Sequence, residues 1–456
     1  MQENKTDKNP KAFGLWSAVF LGIGSMVGAG IFIVIGQAGA IAGNIVWLSF
    51  VVGGIVALLS GYSLAKLALR YPSRGGIIEY LVQCYSEGVF SGSAGVLFYL
   101  AGLIAIAAVA KSFGEYLAVL VGHHTSYWVN LFALGILGFF TLINLLGASL
   151  VAKSENAIVL IKLTVLVLFT GAALLYIHPQ LLAASKMPPI IDMLYAVGLT
   201  FFAYQGFSVI TNTVEDMQNP ARNMLRSMLL AIGLVALLYI ATSIAVLGNL
   251  PLPEIIKAKD YALAEAARPA FGEWGFRIMA VTALIATASA INASLYATTQ
   301  ISYTLAKEGN LPKVYEYNVF RSNEGLIVSA LLIVPMILFM NLSQITTVAA
   351  LVVLIVQGLT HLGHLLKIRE TGANTLLVAL AAFSMFAVTV LTLIYTRHQM
   401  PDIPYYILGS FAFAFFIEIA LRAFWGRSIQ KQFDEEESKL LHTVSLIEKM
   451  LKGKKH

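Results

Sequence analysis

Blocks of about 20 consecutive apolar residues, each long enough to cross a bilayer, repeat along almost the whole chain with short polar connections between them. They predict about twelve transmembrane helices, near residues 14–41, 44–69, 91–121, 127–147, 153–177, 190–216, 225–249, 274–306, 324–341, 344–367, 373–396 and 403–424. Two blocks break the rules of a continuous helix. In the first, Gly22, Gly24, Gly28 and Gly30 crowd into one short run, although each glycine costs a helix interior about 1 kcal/mol relative to alanine. In the sixth, Gln205 and Gly206 stand at membrane depth. Irregular backbone survives in a membrane only where protein or a water-filled cavity satisfies its polar groups. A pair of interrupted segments in corresponding halves points to a transporter built from inverted repeats. Gly24 and Gly28 also fit a GxxxG pattern, which would serve close helix packing instead.

Composition agrees on the environment. Hydrophobic residues make up 58% of the chain and charged residues 12%, with mean hydropathy +0.79. Soluble domains average about 45–50% apolar and 25% charged, so a soluble protein is excluded. The expectation is one transmembrane domain at 14–424, between a cytoplasmic N-terminal tail at 1–13 and a cytoplasmic C-terminal tail at 425–456. Net charge is +6, and the basic residues sit at helix ends, which fits membrane orientation better than nucleic acid. Lys5, Lys8, Lys11, Arg70, Arg222, Lys313, Lys367 and Arg427 fall on one side, and that bias puts both termini in the cytoplasm. In the C-terminal tail Leu440, Val444, Ile447 and Leu451 recur at helical spacing beside Lys449, Lys452, Lys454 and Lys455. This reads as an amphipathic helix on an anionic membrane surface or a short helix packed on the bundle. Cys84 is the only cysteine, so no internal disulfide forms. Its place in a cytoplasmic connection predicts no disulfide-linked partner chain.

Unwound backbone supplies the chemistry. Free N–H groups at the start of one half-helix bind a carboxylate, aided by the helix dipole, and free carbonyls at the end of the other accept from an ammonium. An amino acid carries both groups a few ångströms apart. Lys162 adds a second element, standing in the apolar run Ile158–Leu166. A lysine inside lipid costs a few kcal/mol, and gain and loss of its proton can follow changes in hydration. Charged, it can bond the carbonyls freed near Gly24, and Ser289 or Asn292 on the eighth span. The alternatives are a fixed structural charge and a side chain that snorkels to the nearby cytoplasmic end. Other polar residues read more plainly. Lys111 and Glu115 are spaced to pair on one helix face, Asn144 suits a helix–helix hydrogen bond, and Glu215 and Asp216 suit contacts with Arg222 or Arg226. His361 and His364 have metal-like spacing but no third ligand, and no cofactor is expected. HExxH, GxSxG and paired intramembrane aspartates are all missing from the sequence, which argues against an intramembrane enzyme.

Three stretches carry a family resemblance: GIGSMVGAGIF (22–32), FFAYQGFSVITNTVEDMQNPARNM (201–224) and SLYATTQISYTLAKEGNLPKVY (294–315). Through them the chain resembles the amino acid–polyamine–organocation (APC) superfamily, up to about residue 424. The resemblance implies an all-α fold of two inverted five-helix repeats, with broken first and sixth helices, plus two extra helices. It implies that backbone at Gly28, Ala29 and Gly30 holds the substrate carboxylate. Carbonyls around Met26, Phe202, Ala203 and Gln205 would hold the amino group, with Phe202 as an aromatic gate. Gln205 replaces a residue that is often small in the family. Lys162 matches a lysine of proton-coupled and sodium-independent relatives. The resulting expectation is proton-coupled uptake of neutral or broad-range amino acids by alternating access, with exchange or amino acid sensing as the alternatives. Its partners would be the amino acid, protons and the lipid bilayer.

Overall fold

The computed structural model describes residues 13–28, 30–73, 75–146, 149–183, 188–307, 318–319 and 322–425. Ala29, most of the N-terminal tail and the C-terminal tail with its expected amphipathic helix therefore lie outside the described residues. The first apolar block forms two helices, α1 (Leu15–Met26) and α2 (Gly30–Ala42), separated where glycine and turn geometry interrupt the ladder. Then follow α3 (Val46–Arg70), the short α4 (Ile77–Tyr85), α5 (Val89–Leu120), α6 (Ser126–Leu146) and α7 (Ser149–Leu175). The sixth block is also broken, into α8 (Ile190–Tyr195), α9 (Val197–Ala203) and a 3₁₀ segment, Phe207–Thr213. The chain continues through α10 (Pro220–Asn249), α11 (Leu252–Lys257), α12 (Ala262–Glu265) and α13 (Arg268–Lys307). It ends with α14 (Glu324–Phe339), α15 (Leu342–Leu366), α16 (Ile368–Thr371), α17 (Thr375–Gln399) and α18 (Ile403–Trp425). A two-residue antiparallel pairing, Asn318–Val319 with Ser322–Asn323, precedes α14.

Every predicted span is found as helix, and both predicted breaks are present. Among the described residues ten stretches are long and apolar enough to cross a membrane. The short helices α4, α11, α12 and α16 were not predicted, because runs of four to nine residues carry too little periodicity to register. Burial sorts the bundle. The most apolar stretch of α15 is 83% buried, and that of α18 only 22%. The outward positions are apolar all the same: Leu160, Leu168, Leu237 and Phe416 are exposed. Such an exterior suits lipid, where apolar surface carries no penalty. At the start of the bundle Phe13 pairs with Met217, its N–H on Asp216 O (3.2 Å) and its carbonyl accepting from Gln218 N (2.8 Å). The loop after the second break is thus tied to the N-terminal segment through the backbone of Asp216.

The end of α2 remote from its break is covered by the α11–α12 segment. A Cβ at Gly36 would stand 2.2 Å from Lys259 O, so only glycine permits this approach. Gln37 clamps the cover, donating to Asp260 Oδ1 (3.2 Å) and accepting from Thr346 of α15 (2.7 Å). Lys111 and Glu115 do not pair with each other here. Lys111 donates to Asn130 (2.5 Å) and to Ile337 O (2.8 Å), while Glu115 meets His124 at 2.6 Å. Each residue found a partner on a neighbouring element, which removes the chain's own i,i+4 option.

Burial raises the Asp260 carboxyl above its ordinary range, against the opposing pull of Lys259, Gln37, His124 and Lys111. A raised acid binds more protons in the folded protein than in the unfolded chain, so its contribution is fully present below the ordinary value of 3.8 and is lost as pH rises through the raised one. Asp260→Asn keeps a side-chain acceptor for Gln37 and removes the titration. The melting temperature of wild type relative to this variant is therefore expected to fall as pH rises from 3.8 upward, and a constant difference would remove Asp260 from the clamp's pH response.

Candidate functional site

The two breaks cross and touch. Gly206 has φ 114°, a conformation that glycine takes readily and branched residues do not. A Cβ there would stand 2.5 Å from Ser25 Oγ and 2.9 Å from Ser25 C, so the second break is seated on the last peptides of α1. Reciprocally, a Cβ at Gly30 would stand 2.3 Å from Ala203 O, so the start of α2 lies against the end of α9. Helix ends leave backbone groups without intrahelical partners, and here the end of α1, the start of α2 and the end of α9 meet in one place.

The remaining glycines of the first break serve packing rather than open space. Gly24 faces Val159 of α7 (3.1 Å), and Gly28 faces Ala290 of α13 (3.2 Å). The GxxxG pattern and the break therefore coexist: small residues let α7 and α13 close on the segment that is unwound. Phe202 is buried on α9.

Three of the four carbonyls expected to receive an ammonium already have donors. Tyr239, buried in α10, donates to Met26 O at 2.8 Å and lies 3.3 Å from Ala203 O. Gln205 N donates to Phe202 O at 3.0 Å. A carbonyl has two lone pairs, so a bond from Tyr239 leaves Met26 O and Ala203 O room for a second donor. Tyr239 was missed from sequence, where a lone tyrosine in an apolar helix resembles core. Its ring packs against Phe50 (5.8 Å) and Tyr204 (5.3 Å), whose own hydroxyl donates to Phe50 O (2.8 Å). Tyr239→Phe keeps that packing and removes only the hydroxyl. We expect roughly tenfold slower transport and a loss of about 1 kcal/mol in stability, the value of one hydrogen bond. Uptake in liposomes and thermal unfolding check it; wild-type values in both would show that the bridge between the breaks is dispensable.

Lys162 is 1% exposed, and its Nζ donates to Gly24 O at 3.0 Å. The snorkelling alternative fails, since the ammonium turns into the bundle toward the first break. Of the two α13 residues expected beside it, Ser289 is buried, and Asn292 Oδ1 accepts from Asn144 of α6 at 2.8 Å. This helix–helix bond is of the kind expected for Asn144. Among the described residues no group of three metal-ligating side chains forms. His361 and His364 are instead buried among hydroxyl groups: Ser60 meets His361 at 2.8 Å, and Ser63 meets His364 at 2.8 Å.

Comparison with known proteins meets this geometry. The profile described as "Amino acid permease" matches residues 13–438. A protein of Methanocaldococcus jannaschii is 34% identical over 415 residues, 90% of this chain and 95% of its own length. The inner membrane transport protein YbaT of Escherichia coli is 37% identical over 358 residues, 78% of this chain and 83% of its own. The branched-chain amino acid permease BcaP of Bacillus subtilis is 24% identical over 324 residues, 66% and 68% of the two chains. The chain therefore belongs to the amino acid permease family of the APC superfamily, and it is an integral membrane transporter rather than an enzyme.

Proposed function

We propose that this protein is a secondary active transporter that takes up neutral or broad-range amino acids across the cytoplasmic membrane, coupled to protons, with both termini in the cytoplasm. The observation that carries the reading is the crossing of the two breaks, Gly206 on Ser25–Met26 and Gly30 on Ala203, with Lys162 bonded to the Gly24 carbonyl beside them. In this reading backbone N–H groups at Gly28, Ala29 and Gly30 take the substrate carboxylate. The spare lone pairs of the Met26, Phe202, Ala203 and Gln205 carbonyls take the ammonium, and Phe202 closes over the ligand. Neutral substrates follow because no acidic residue adjoins either break to balance a cationic side chain. Burial of Lys162 supports coupling, because a buried ammonium gains or loses its proton as its hydration changes.

A second reading, sodium-independent exchange, is favoured by the same bond: an ammonium fixed on Gly24 O does what a bound cation would do without moving a proton. Uptake of an amino acid panel into liposomes separates the two. Accumulation driven by an inward proton gradient supports symport. Uptake that needs amino acid inside and ignores the gradient supports exchange. Binding without concentrative uptake would overturn both and leave a sensor.

A further inference from the structure

A single hydrogen-bonded relay of buried side chains runs from the second break to the far end of α15. Gln357 Nε2 donates to Gln205 Oε1 (3.3 Å), and Ser60 Oγ donates to Gln357 Oε1 (3.0 Å). Ser60 also meets His361 Nε2 (2.8 Å), Ser63 meets both His361 Nδ1 and His364 Nδ1 (2.8 Å each), and His364 Nε2 meets Thr371 Oγ1 (2.8 Å). Gln357, His361 and His364 lie one above another on α15, while Ser60 and Ser63 lie a turn apart on α3, so two helices are zipped through five side chains that are 0% exposed.

With the Gln357 oxygen facing Ser60 and the imidazoles neutral, counting protons gives the direction of every bond. The Gln357 carbonyl oxygen only accepts, so the Ser60 hydrogen points to it and Ser60 Oγ must accept from His361 Nε2–H. His361 Nδ1 then accepts from Ser63, whose oxygen accepts from His364 Nδ1–H, and His364 Nε2 accepts from Thr371. All donors point toward the break. At the end of the line Gln205 Oε1 is taken, and its Nε2 is buried without a partner among the described residues. The opposite direction needs both amides turned and both tautomers exchanged, with Thr371 donating to Ile368 O (3.2 Å). Gln205 would then offer its oxygen. In either direction one polar amide atom stands beside Gly206, where the breaks cross, and a buried amide left unpaired is costly.

We propose that Gln205 is the specificity-determining residue for the substrate side chain, that Gln357, Ser60, His361, Ser63 and His364 are positioning residues that hold its amide, and that the preferred amino acid carries a small uncharged hydroxyl group. A hydroxyl both donates and accepts, so it satisfies Gln205 whichever way the relay points. An aliphatic side chain of the same shape satisfies neither. This inference rests on the amino acid transport reading of the same site.

The test compares L-threonine with L-valine, which share one shape, in liposomes carrying the full chain. Wild type is expected to favour threonine by about tenfold or more in kcat/KM, the discrimination of a lost hydrogen bond at a buried polar group. Gln205→Leu should bring the ratio close to one. Ser60→Ala, which cuts the relay at a small residue, should lower the same ratio, whereas a merely structural defect would slow both substrates alike. Amino acid uptake with no threonine preference in wild type, or with the preference intact in Gln205→Leu and Ser60→Ala, would overturn the inference while leaving the transport reading in place. Wild type that moves no amino acid would overturn the transport reading itself.

Discussion

Lys162→Ala is expected to abolish proton-driven accumulation. Wild-type uptake should rise when the liposome exterior is made acidic, and uptake by the variant should not respond. The magnitude follows from what is removed. Lys162 is fully buried and makes a charge-assisted bond of 3.0 Å to Gly24 O, and such a bond contributes about 1.5–3 kcal/mol, or roughly 10- to 100-fold in affinity. Alanine also leaves the Gly24 carbonyl, next to the break, without that donor. The outcomes separate three roles. If the lysine carries the transported proton, the variant loses the gradient response. If it substitutes for a fixed cation, wild type itself ignores the gradient and the variant binds substrate more weakly. If neither changes at equal reconstitution, Lys162 has no part in the cycle, and proton symport has no carrier among the residues that meet the first break.

The architecture was legible because lipid enforces it. Backbone that crosses a bilayer must satisfy its own hydrogen bonds, so long apolar runs report helices directly, and glycine or glutamine inside such runs reports the exceptions. Gly206 and Lys162 were readable for that reason. Partner choice was not readable. Lys111 and Glu115 are spaced to pair on one helix, yet Asn130 and His124 on a neighbouring segment take them. Asn292 of α13 accepts from Asn144 of α6, a pairing that the spacing along neither helix gives. His361 and His364 looked like half a metal site, and only the meeting of α15 with α3 shows the serines between them. Each of these depends on residues that are distant in sequence, and local periodicity carries no information about them. Tyr239 failed differently: its polar tip is a single oxygen on an otherwise apolar ring, and nothing local separates a bridging tyrosine from a core one.

Gly30→Ala is expected to stop transport, although alanine is the better helix former. The argument is geometric. The added methyl would lie 2.3 Å from Ala203 O and 3.0 Å from both Ala203 C and Cα, and all three are backbone atoms, so no side chain can swing aside. Either α2 or α9 must move, which separates the two breaks at the point where Gly206 and Gly30 lock them together. Overpacking of this kind costs about 1–3 kcal/mol, small enough for the bundle to stay folded but large for a site that depends on sub-ångström placement of backbone dipoles. A fall in uptake of roughly 100-fold or more is therefore expected, with a modest drop in melting temperature. Gly233→Ala supplies the contrast, because nothing lies within 4 Å of a Cβ there on α10; it should transport normally and gain slightly in stability. Gly206→Ala should behave like Gly30→Ala, since its methyl would meet Ser25 from the other break. Normal uptake by purified, folded Gly30→Ala would show that the breaks need not touch during the cycle, and the substrate would then have to bind elsewhere than at their crossing.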